Sequence, residues 1–256
     1  EGAAIQPARL ARGLARAVER LGGTIYEQTA VIRFTPNPNP SLVTERGTVR
    51  AKTVVLAGEA YLSAIPGMER KIIPMTSHIV VTEPLGEDIW EQIRWRDRDV
   101  LGGWGVHGAY IQRTADGRIA LGPYRGNYPY RSRIADALDR DEAIFDHARL
   151  SLVDWFPMLR GIRTTHSWGG VFGIPRDRMP RMTYNARTGV AAAFGYTGDG
   201  VATANLSGRV LSDLITETDS DLKFLPMTTP NQSRWEPEPL RWLGVTFVRK
   251  DRQRVL

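Results

Sequence analysis

The chain contains no cysteine among its 256 residues. This absence excludes disulfide bonds, thiolate nucleophiles and zinc sites that depend on cysteine. Histidine is scarce, with four in the chain, and no spacing among the histidines and nearby carboxylates predicts a metal site. Long apolar runs are lacking as well. A membrane-spanning helix needs about 20 consecutive apolar residues, and no run in the sequence approaches that length. We therefore expect a cytoplasmic protein that uses neither a metal ion nor a membrane anchor.

The chain carries a net charge of +6, so binding to nucleic acid has to be considered. Its arginines are mostly scattered among acidic residues, as in the stretch from Arg94 to Asp99. Nucleic-acid binding requires clustered charge with aromatic stacking positions on one face, and the sequence has no such cluster. The one dense basic run, residues 249–254, is interpreted as a solvated tail. Nucleic acid is therefore not an expected partner.

The most informative stretch is a glycine-rich segment between a short apolar run and a longer one. Val190 to Phe194 predicts a strand, and Val201 to Ile215 predicts a helix. Glycine lets a backbone come close to a ligand because it has no side chain, and a helix N-terminus presents free N–H groups. The segment therefore predicts a ligand-binding turn, with the sequence Gly195-Tyr196-Thr197-Gly198-Asp199-Gly200-Val201.

A dinucleotide fingerprint, G-x-G-x-x-G, is matched at residues 103–108. That fingerprint requires a helix directly after the glycines. Ala109 to Arg113 instead has the pattern of a strand, so we reject the match. The spacing after Gly195, G-x-x-G-x-G, is a different pattern.

Three segments, in this order along the chain, resemble the FAD-dependent amine and amino-acid oxidases, the D-amino-acid oxidase and glycine oxidase superfamily. They are the strand from Val54 to Gly58, the Trp168-Gly169-Gly170 segment with its following Asp177-x-x-Pro180 turn, and residues 195–208. An aromatic C-terminal extension is similar to that of the gamma-glutamylputrescine-oxidase-like branch. In the superfamily the last segment lies under the flavin ring, where the helix dipole stabilises negative charge on the reduced flavin.

The resemblance implies an α/β (α+β) fold that lacks the family's opening dinucleotide unit. The first residue is Glu1 rather than Met, and we expect the chain to be the C-terminal portion of the family's sequence. The implied domains are an incomplete Rossmann-like FAD-binding domain of residues 1–72 and 184–216, an inserted antiparallel-sheet substrate domain of residues 73–183, and an extended tail of residues 217–256.

Local patterns predict the secondary structure inside these domains. Apolar residues at helical spacing predict a helix from Pro7 to Leu21, and Thr24 to Phe34 predicts a strand. The continuous apolar run from Thr53 to Gly58 is typical of a buried parallel strand. Gly108 to Gly122 predicts a hairpin, and the stretch Asp139-Arg140-Asp141-Glu142, with an N-cap and an acidic N3 residue, predicts the start of a helix.

The resemblance also implies the residues that hold FAD, and the lack of cysteine excludes a covalent link through that residue. Glu59 stands where the family often has glycine, and Ala202 replaces the lysine of sarcosine-oxidase-like relatives. The implied cofactor-binding residues are Val31, Ala57, Gly58, Trp168, Gly169, Gly195, Tyr196, Thr197, Gly198, Asp199, Gly200 and Val201.

Polar residues of the implied substrate domain are candidates for catalysis and for substrate binding. His107, Tyr110 and His166 are candidate catalytic residues, because an imidazole can position an amine or tune the flavin. Arg113 and Arg163 are candidate substrate-binding residues, because a guanidinium matches the two oxygens of a carboxylate. For each of the five, a structural or surface role stays open. His78 and His147 are predicted to be structural.

The implied reaction is oxidation of a C–N bond. A hydride leaves the carbon that carries a neutral amine and passes to flavin N5, the imine hydrolyses, and oxygen or another acceptor reoxidises the flavin. The expected partner is a small amine or amino acid. The alternative is a non-catalytic flavin-binding remnant or module. The sequence does not predict the oligomeric state.

Overall fold

The computed structural model describes residues 3–230 and 232–255, with residues 249–255 described by their backbone alone. The chain divides into two compact units. The first unit comprises Glu1–Ile73 and Gly173–Trp235, and the second comprises Pro74–Phe172 and Glu236–Leu256. The sequence predicts domain boundaries at 72/73, 183/184 and 216/217.

The first unit contains two sheets with helices. Its helices are α1 (Pro7–Arg20) and α4 (Gly200–Ile215), and its strands are β1 (Val31–Thr35), β2 (Ser41–Thr44), β3 (Gly47–Arg50), β4 (Val54–Leu56), β10 (Arg181–Asn185) and β11 (Val190–Phe194). One sheet has the order β1-β2-β3, and the other has the order β10-β11-β4. In the second sheet β11 is antiparallel to β10 and parallel to β4.

Strand β11 is central and buried on both faces, because successive side chains of a strand point to opposite sides. Ala192 and Phe194 join one apolar cluster, which also contains residues of β4. Ala191 and Ala193 join a second cluster, which also contains Val210 and other apolar residues of α4. The strand predicted from Val190 to Phe194 and the helix that follows it are both confirmed.

The second unit is built around a sheet covered by a helix. Its helices are α2 (Glu87–Ile93), α3 (Glu142–Trp155) and α5 (Leu240–Val255), and its strands are β5 (Ile73–Thr82, entering from the first unit), β6 (Val100–Gly103), β7 (Ala109–Arg113), β8 (Ile119–Pro123) and β9 (Thr164–Ile174, leading back to the first unit). The strand order is β6-β7-β8-β5-β9. The pairings β6–β7, β7–β8 and β5–β8 are antiparallel.

Alternating residues of this sheet form the core of the second unit with α3. Ile111 and Leu121 are fully buried against Phe145 and Leu152 of the helix. Asp141 is the N-cap of α3, and its side chain accepts a hydrogen bond from the backbone N–H of Ile144. The predicted hairpin and helix are confirmed. Strand β7 also confirms the rejection of the fingerprint at residues 103–108, because a strand follows its glycines.

Two strand predictions need correction. The strand expected from Thr24 begins only at Val31, and Ile25 and Tyr26 are exposed on irregular backbone. No described strand pairs with residues 24–30, and unpaired backbone does not form a ladder. Strand β4 is parallel to β11 as expected, but Val55 is 48% exposed, so in the described structure β4 is covered on one face only.

The C-terminal prediction of an extended tail is wrong for residues 240–255, which form α5. The absence of a clear apolar period hid this helix, because its buried contacts include the charged residue Arg241 rather than an apolar stripe alone. The basic run at 249–254 lies on α5, and its side chains are outside the described residues. Among the described helices, none combines the length and apolar character required to cross a bilayer.

Candidate functional site

The carboxyl ends of β4 and β11 meet at one edge of their sheet. The parallel register pairs Val190 with Val54 and Ala192 with Leu56. Gly58 therefore follows one strand and Gly195 follows its neighbour at the same edge. Ligands of open α/β sheets bind outside the carboxyl ends of the strands, so this edge is the candidate site of the first unit.

The turn after β11 has a backbone that favours glycine. Gly195 has φ of +83° and Gly198 has φ of +102°. A Cβ atom built on Gly195 would collide with the ring of Pro175, so a side chain is excluded there by space as well as by conformation. Thr197, with φ of +54°, takes the left-handed region without being glycine.

The first N–H groups of the turn are bound within the protein. The N–H groups of Gly195 and Tyr196 both donate to Oε1 of Glu59, at 2.9 Å each. The N–H of Thr197 donates to the carbonyl oxygen of Gly173 at 3.1 Å. These groups are therefore occupied and do not serve a ligand in this conformation.

Four of the later N–H groups are left open, whereas the N–H of Asp199 donates to the carbonyl oxygen of Tyr196 at 3.0 Å. Within residues 3–230 and 232–255, no acceptor is bound to the N–H of Gly198, Gly200, Val201 or Ala202. Asp199 is the N-cap of α4, yet its side chain makes no capping hydrogen bond. An uncapped helix start with free N–H groups and a positive dipole end favours a ligand that carries acceptor oxygens or negative charge.

Glu59 is the residue of this site whose role the sequence did not reveal. Its carboxylate binds the turn through Oε1, as described, while its Oε2 is buried without a hydrogen-bond partner in the described structure. The backbone φ of Glu59 is +47°. The only signal in the sequence was a glutamate in a position where the family often has glycine.

The other predicted cofactor residues of the first unit lie in two different sheets or at their ends. Ala57 and Gly58 join β4 to a short 3-10 turn, and a Cβ on Gly58 would lie 3.1 Å from Cδ2 of Leu62. Val31 opens β1 in the other sheet, where it pairs with Thr44. Val31 thus belongs to a different sheet from the strand ends that carry Gly58 and Gly195.

Trp168 and Gly169 lie on β9 within the second unit. They line a cleft of about 470 Å³ together with Asp136, Ala137, Asp139, Arg140 and Ser167. A Cβ on Gly169 would come within 2.7 Å of the His78 ring, which explains the need for glycine. His78 is buried and its Nε2 lies 2.9 Å from the carbonyl oxygen of Leu138, so it has a packing role.

Tyr110 lies on β7 in an aromatic group. Its hydroxyl is 3.2 Å from Ser77 Oγ, and its ring is 6.0 Å from that of Tyr124. Tyr124 in turn stacks on Trp104 at 4.9 Å. Burial raises the pKa of Tyr110, so its hydroxyl stays protonated at neutral pH and can donate a hydrogen bond.

The two candidate catalytic histidines lie in different surroundings. His107 Nδ1 is 3.3 Å from Asp154 Oδ2, and its ring lies 5.3 Å from that of His147. Burial lowers the pKa of His147, with Arg125 and His107 adding to the effect. His166 is exposed on β9 beside Thr165. Within the described part of the chain, no hydrogen bond joins either histidine to Tyr110.

Both candidate substrate arginines have partners inside the second unit. Arg113 donates to the carbonyl oxygen of Trp95 at 2.6 Å, and its guanidinium lies 4.0 Å from the centre of the Trp90 ring. Arg163 binds the Glu83 carboxylate through Nε at 3.0 Å and through Nη2 at 2.6 Å. A role in binding a substrate carboxylate stays a prediction for both residues.

A metal centre is not formed by the described side chains. Among the side chains of residues 3–230 and 232–248, no cluster of His, Asp and Glu is suited to hold a metal ion.

A profile of the family described as FAD dependent oxidoreductase matches residues 1–214. The chain belongs to this family. FAD is the cofactor of the family, as the resemblance implied.

Curated relatives support the same membership. The chain is 31% identical over 217 residues to the gamma-glutamylputrescine oxidoreductase of Escherichia coli (strain K12), a match that covers 84% of this chain and 48% of that protein. It is 26% identical to a probable oxidoreductase OrdL of Haemophilus influenzae, covering 86% of this chain and 49% of the relative. The chain thus spans about half the length of these relatives.

Solved structures share the mixed helix and sheet fold. The glycine oxidase of Geobacillus kaustophilus has a TM-score of 0.71 at 19% identity, over 88% of this chain and 58% of that one. The L-proline dehydrogenase of P. horikoshii has a TM-score of 0.70 at 20% identity, over 84% of this chain and 57% of that one. At such identities the likeness is one of fold.

The residues of the turn fit FAD as a ligand. The isoalloxazine ring carries carbonyl oxygens that accept hydrogen bonds, and the open N–H groups of Gly198, Gly200 and Val201 are donors. The glycines let the backbone approach a flat ring closely. The positive end of α4 is suited to the charge of reduced flavin.

Proposed function

We propose that the chain is the C-terminal part of an FAD-dependent oxidoreductase that oxidises the C–N bond of an amine or amino acid. The observation that carries this proposal is the turn after β11, whose last N–H groups are open at the carboxyl edge of a parallel strand pair. Membership in the FAD-dependent family supports the cofactor. The names of the relatives, which include a gamma-glutamylputrescine oxidoreductase and a glycine oxidase, support the substrate class.

In this proposal the first unit belongs to a Rossmann-like FAD-binding domain. The N–H groups of Gly198, Gly200 and Val201 bind the flavin ring without a covalent bond, and Ala57 and Gly58 give it room at the neighbouring strand end. When bound, FAD accepts the hydride that leaves the amine-bearing carbon of the substrate.

The second unit carries the residues proposed to act on the substrate. Tyr110 has a protonated hydroxyl, which lies 3.2 Å from Ser77 Oγ and which we propose holds an amine nitrogen or a carbonyl oxygen in place. His107 and His166 stay candidates for the same task, and Trp168 and Gly169 stay candidates for contact with the cofactor. No side-chain base is required, because a neutral amine gives up its hydride without first losing a proton to the protein.

The cytoplasmic location and oxygen as one candidate electron acceptor also belong to the proposal. Cell fractionation tests the first. The second is tested by measuring hydrogen peroxide formed during turnover in air.

Visible absorption of two purified proteins tests the proposed function. One is the chain of residues 1–256, and the other is the intact protein as its gene encodes it. We expect the visible absorption bands of oxidised flavin in the intact protein. Anaerobic addition of a series of primary and secondary amines and amino acids is then expected to bleach these bands with at least one compound.

The result separates the proposal from its alternative. Flavin bands that no amine or amino acid bleaches would favour a non-catalytic flavin-binding module. An intact protein that neither carries FAD nor takes it up during dialysis would overturn the flavin assignment.

A further inference from the structure

The Glu59 carboxylate has no part in the proposed function, yet it accepts hydrogen bonds from the glycine-rich turn after β11. Glu59 follows β4 directly after Ala57 and Gly58, and its φ of +47° lies in the region that favours glycine. A non-glycine residue persists in that region when its surroundings hold it there, and such residues cluster at functional sites. The contacts of Glu59 therefore require an explanation.

Two hydrogen bonds hold Glu59 in this conformation. Its Oε1 accepts from the N–H groups of Gly195 and Tyr196, both at 2.9 Å. The carbonyl oxygen of Gly173 accepts from the next N–H group, that of Thr197, at 3.1 Å. Glu59 and Gly173 together thus bind three successive N–H groups, and beyond them the N–H groups of Gly198, Gly200 and Val201 stay open.

The surroundings of the second carboxylate oxygen, Oε2, leave space for the Glu59 side chain. Oε2 is buried and lacks a hydrogen-bond partner among the described residues. A Cβ on Gly173 would lie 2.7 Å from Oε2, so only glycine leaves room for the carboxylate at that point of β9. A buried oxygen without a partner is costly, and it is kept here by the two bonds that Oε1 makes.

We propose that Glu59 is a positioning residue that sets the conformation of the flavin-binding turn and lowers the reduction potential of the flavin bound there. By binding Gly195 and Tyr196, Glu59 directs the open N–H groups of Gly198, Gly200 and Val201 to the ligand. Its negative charge at the same turn opposes the gain of negative charge on reduction, which the start of α4 favours. This inference rests on the proposed function for its redox part and on the fold alone for its positioning part.

The test compares three variants of the intact protein. Glu59→Gln keeps an oxygen that accepts both N–H bonds and removes the charge. Glu59→Gly relieves the backbone and removes both the bonds and the charge. Glu45→Gln removes the same charge from an exposed residue in the turn between β2 and β3, and serves as the control.

Amide hydrogen exchange of FAD-free protein measures the positioning part. In Glu59→Gly we expect the N–H groups of Gly195 and Tyr196 to exchange roughly tenfold faster or more, because two hydrogen bonds are lost. In Glu59→Gln and Glu45→Gln we expect exchange within about threefold of the unsubstituted protein. Unchanged exchange in Glu59→Gly would overturn the positioning role.

Flavin affinity and reduction potential measure the rest. We expect Glu59→Gly to bind FAD about tenfold or more weakly, because the donor groups are no longer held in place. We expect Glu59→Gln to bind FAD with little change and to show a more positive midpoint potential than both the unsubstituted protein and Glu45→Gln. A potential equal to that of the control, or more negative, would overturn the redox role.

Failure of the proposed function gives a different result. If the unsubstituted protein does not bind FAD, the flavin assignment and the redox role fall together. The exchange of the Gly195 and Tyr196 amides then still decides whether Glu59 positions the turn.

Discussion

At the residue scale, Gly195 is restricted in two independent ways. Its φ of +83° is strained for any residue with a Cβ, and Pro175 occupies the space that a Cβ would need. Gly198 shares the first restriction, with φ of +102°, but a Cβ there would meet no atom within 4 Å. The two glycines therefore form a matched pair that separates backbone strain from a steric clash.

We expect Gly198→Ala to lower the free energy of unfolding by about 1 kcal/mol through its backbone conformation. Gly195→Ala is expected to cost a further 1–3 kcal/mol or so, because Pro175 has to move. Urea denaturation of both variants in the intact protein measures the difference. Equal losses would show that the Pro175 ring yields without cost.

Glu59 shows what the sequence of the turn cannot predict by itself, namely which of its N–H groups are bound within the protein. The glycines of the turn predicted a close backbone approach, and their φ angles agree with it. Glu59 is distant from them in the sequence, and its bonds to Gly195 and Tyr196 arise from the pairing of β4 with β11. Pairing between remote strands is a tertiary property. The sequence alone therefore does not distinguish the N–H groups that are bound within the protein from those that are open.

At the element scale, helix α5 is attached through the half-buried carboxylate of Glu238. Oε1 of Glu238 accepts from the Tyr128 hydroxyl at 2.5 Å and from Arg241 Nη2 at 3.0 Å, and Oε2 accepts from the Trp242 N–H at 3.1 Å. Burial by itself would raise the pKa of Glu238, but the bonds from Tyr128, Arg241 and Trp242 outweigh it and hold the pKa below its usual value. Burial and the bond to Glu238 raise the pKa of Tyr128 to about 12, so Tyr128 remains a donor.

The lowered pKa of Glu238 predicts a pH dependence of stability. A carboxyl group whose pKa is lower in the folded state stabilises the fold at pH values above its unfolded pKa, which is about 4.3. That contribution is lost as the pH falls through the lowered folded value. We expect the thermal midpoint of the unsubstituted protein to exceed that of Glu238→Gln at pH 6, and the gap to close progressively below about pH 4.

Thermal unfolding of both proteins from pH 6 to pH 3 measures this gap. The comparison with Glu238→Gln removes the contributions of other carboxyl groups with lowered pKa values, such as Glu83 and Asp116, because both proteins keep them. A gap that is independent of pH would show that Glu238 contributes shape rather than charge.

At the scale of the whole molecule, each compact unit has its own apolar core. Phe145 is fully buried in the core of the second unit, where it packs among residues of β7, β8 and α3. The first unit has separate clusters around β4, β11 and α4. Stability is therefore expected to depend on each core separately.

We expect Phe145→Ala to destabilise the second unit by about 3–5 kcal/mol, because it removes a large buried ring and leaves a cavity. Amide exchange of α3 and β8 should accelerate, whereas β11 in the first unit should keep most of its protection. Val210→Ala, a smaller truncation in the first unit, is expected to show the reverse pattern. Acceleration of all of these elements together in both variants would show that the two units unfold as one.

Local signals in the sequence are sufficient to predict several elements of the fold, and the family to which the chain belongs. The helix started by Asp141, the hairpin from β7 to β8 and the strand–turn–helix after Val190 follow from capping residues, turn glycines and apolar periods, which act over a few neighbouring residues. Two features emerge only from the folded chain: Glu59 binds the N–H groups of Gly195 and Tyr196, and α5 is a helix anchored by Glu238. These features depend on contacts between residues remote in the chain, and such contacts leave no periodic signal in the sequence.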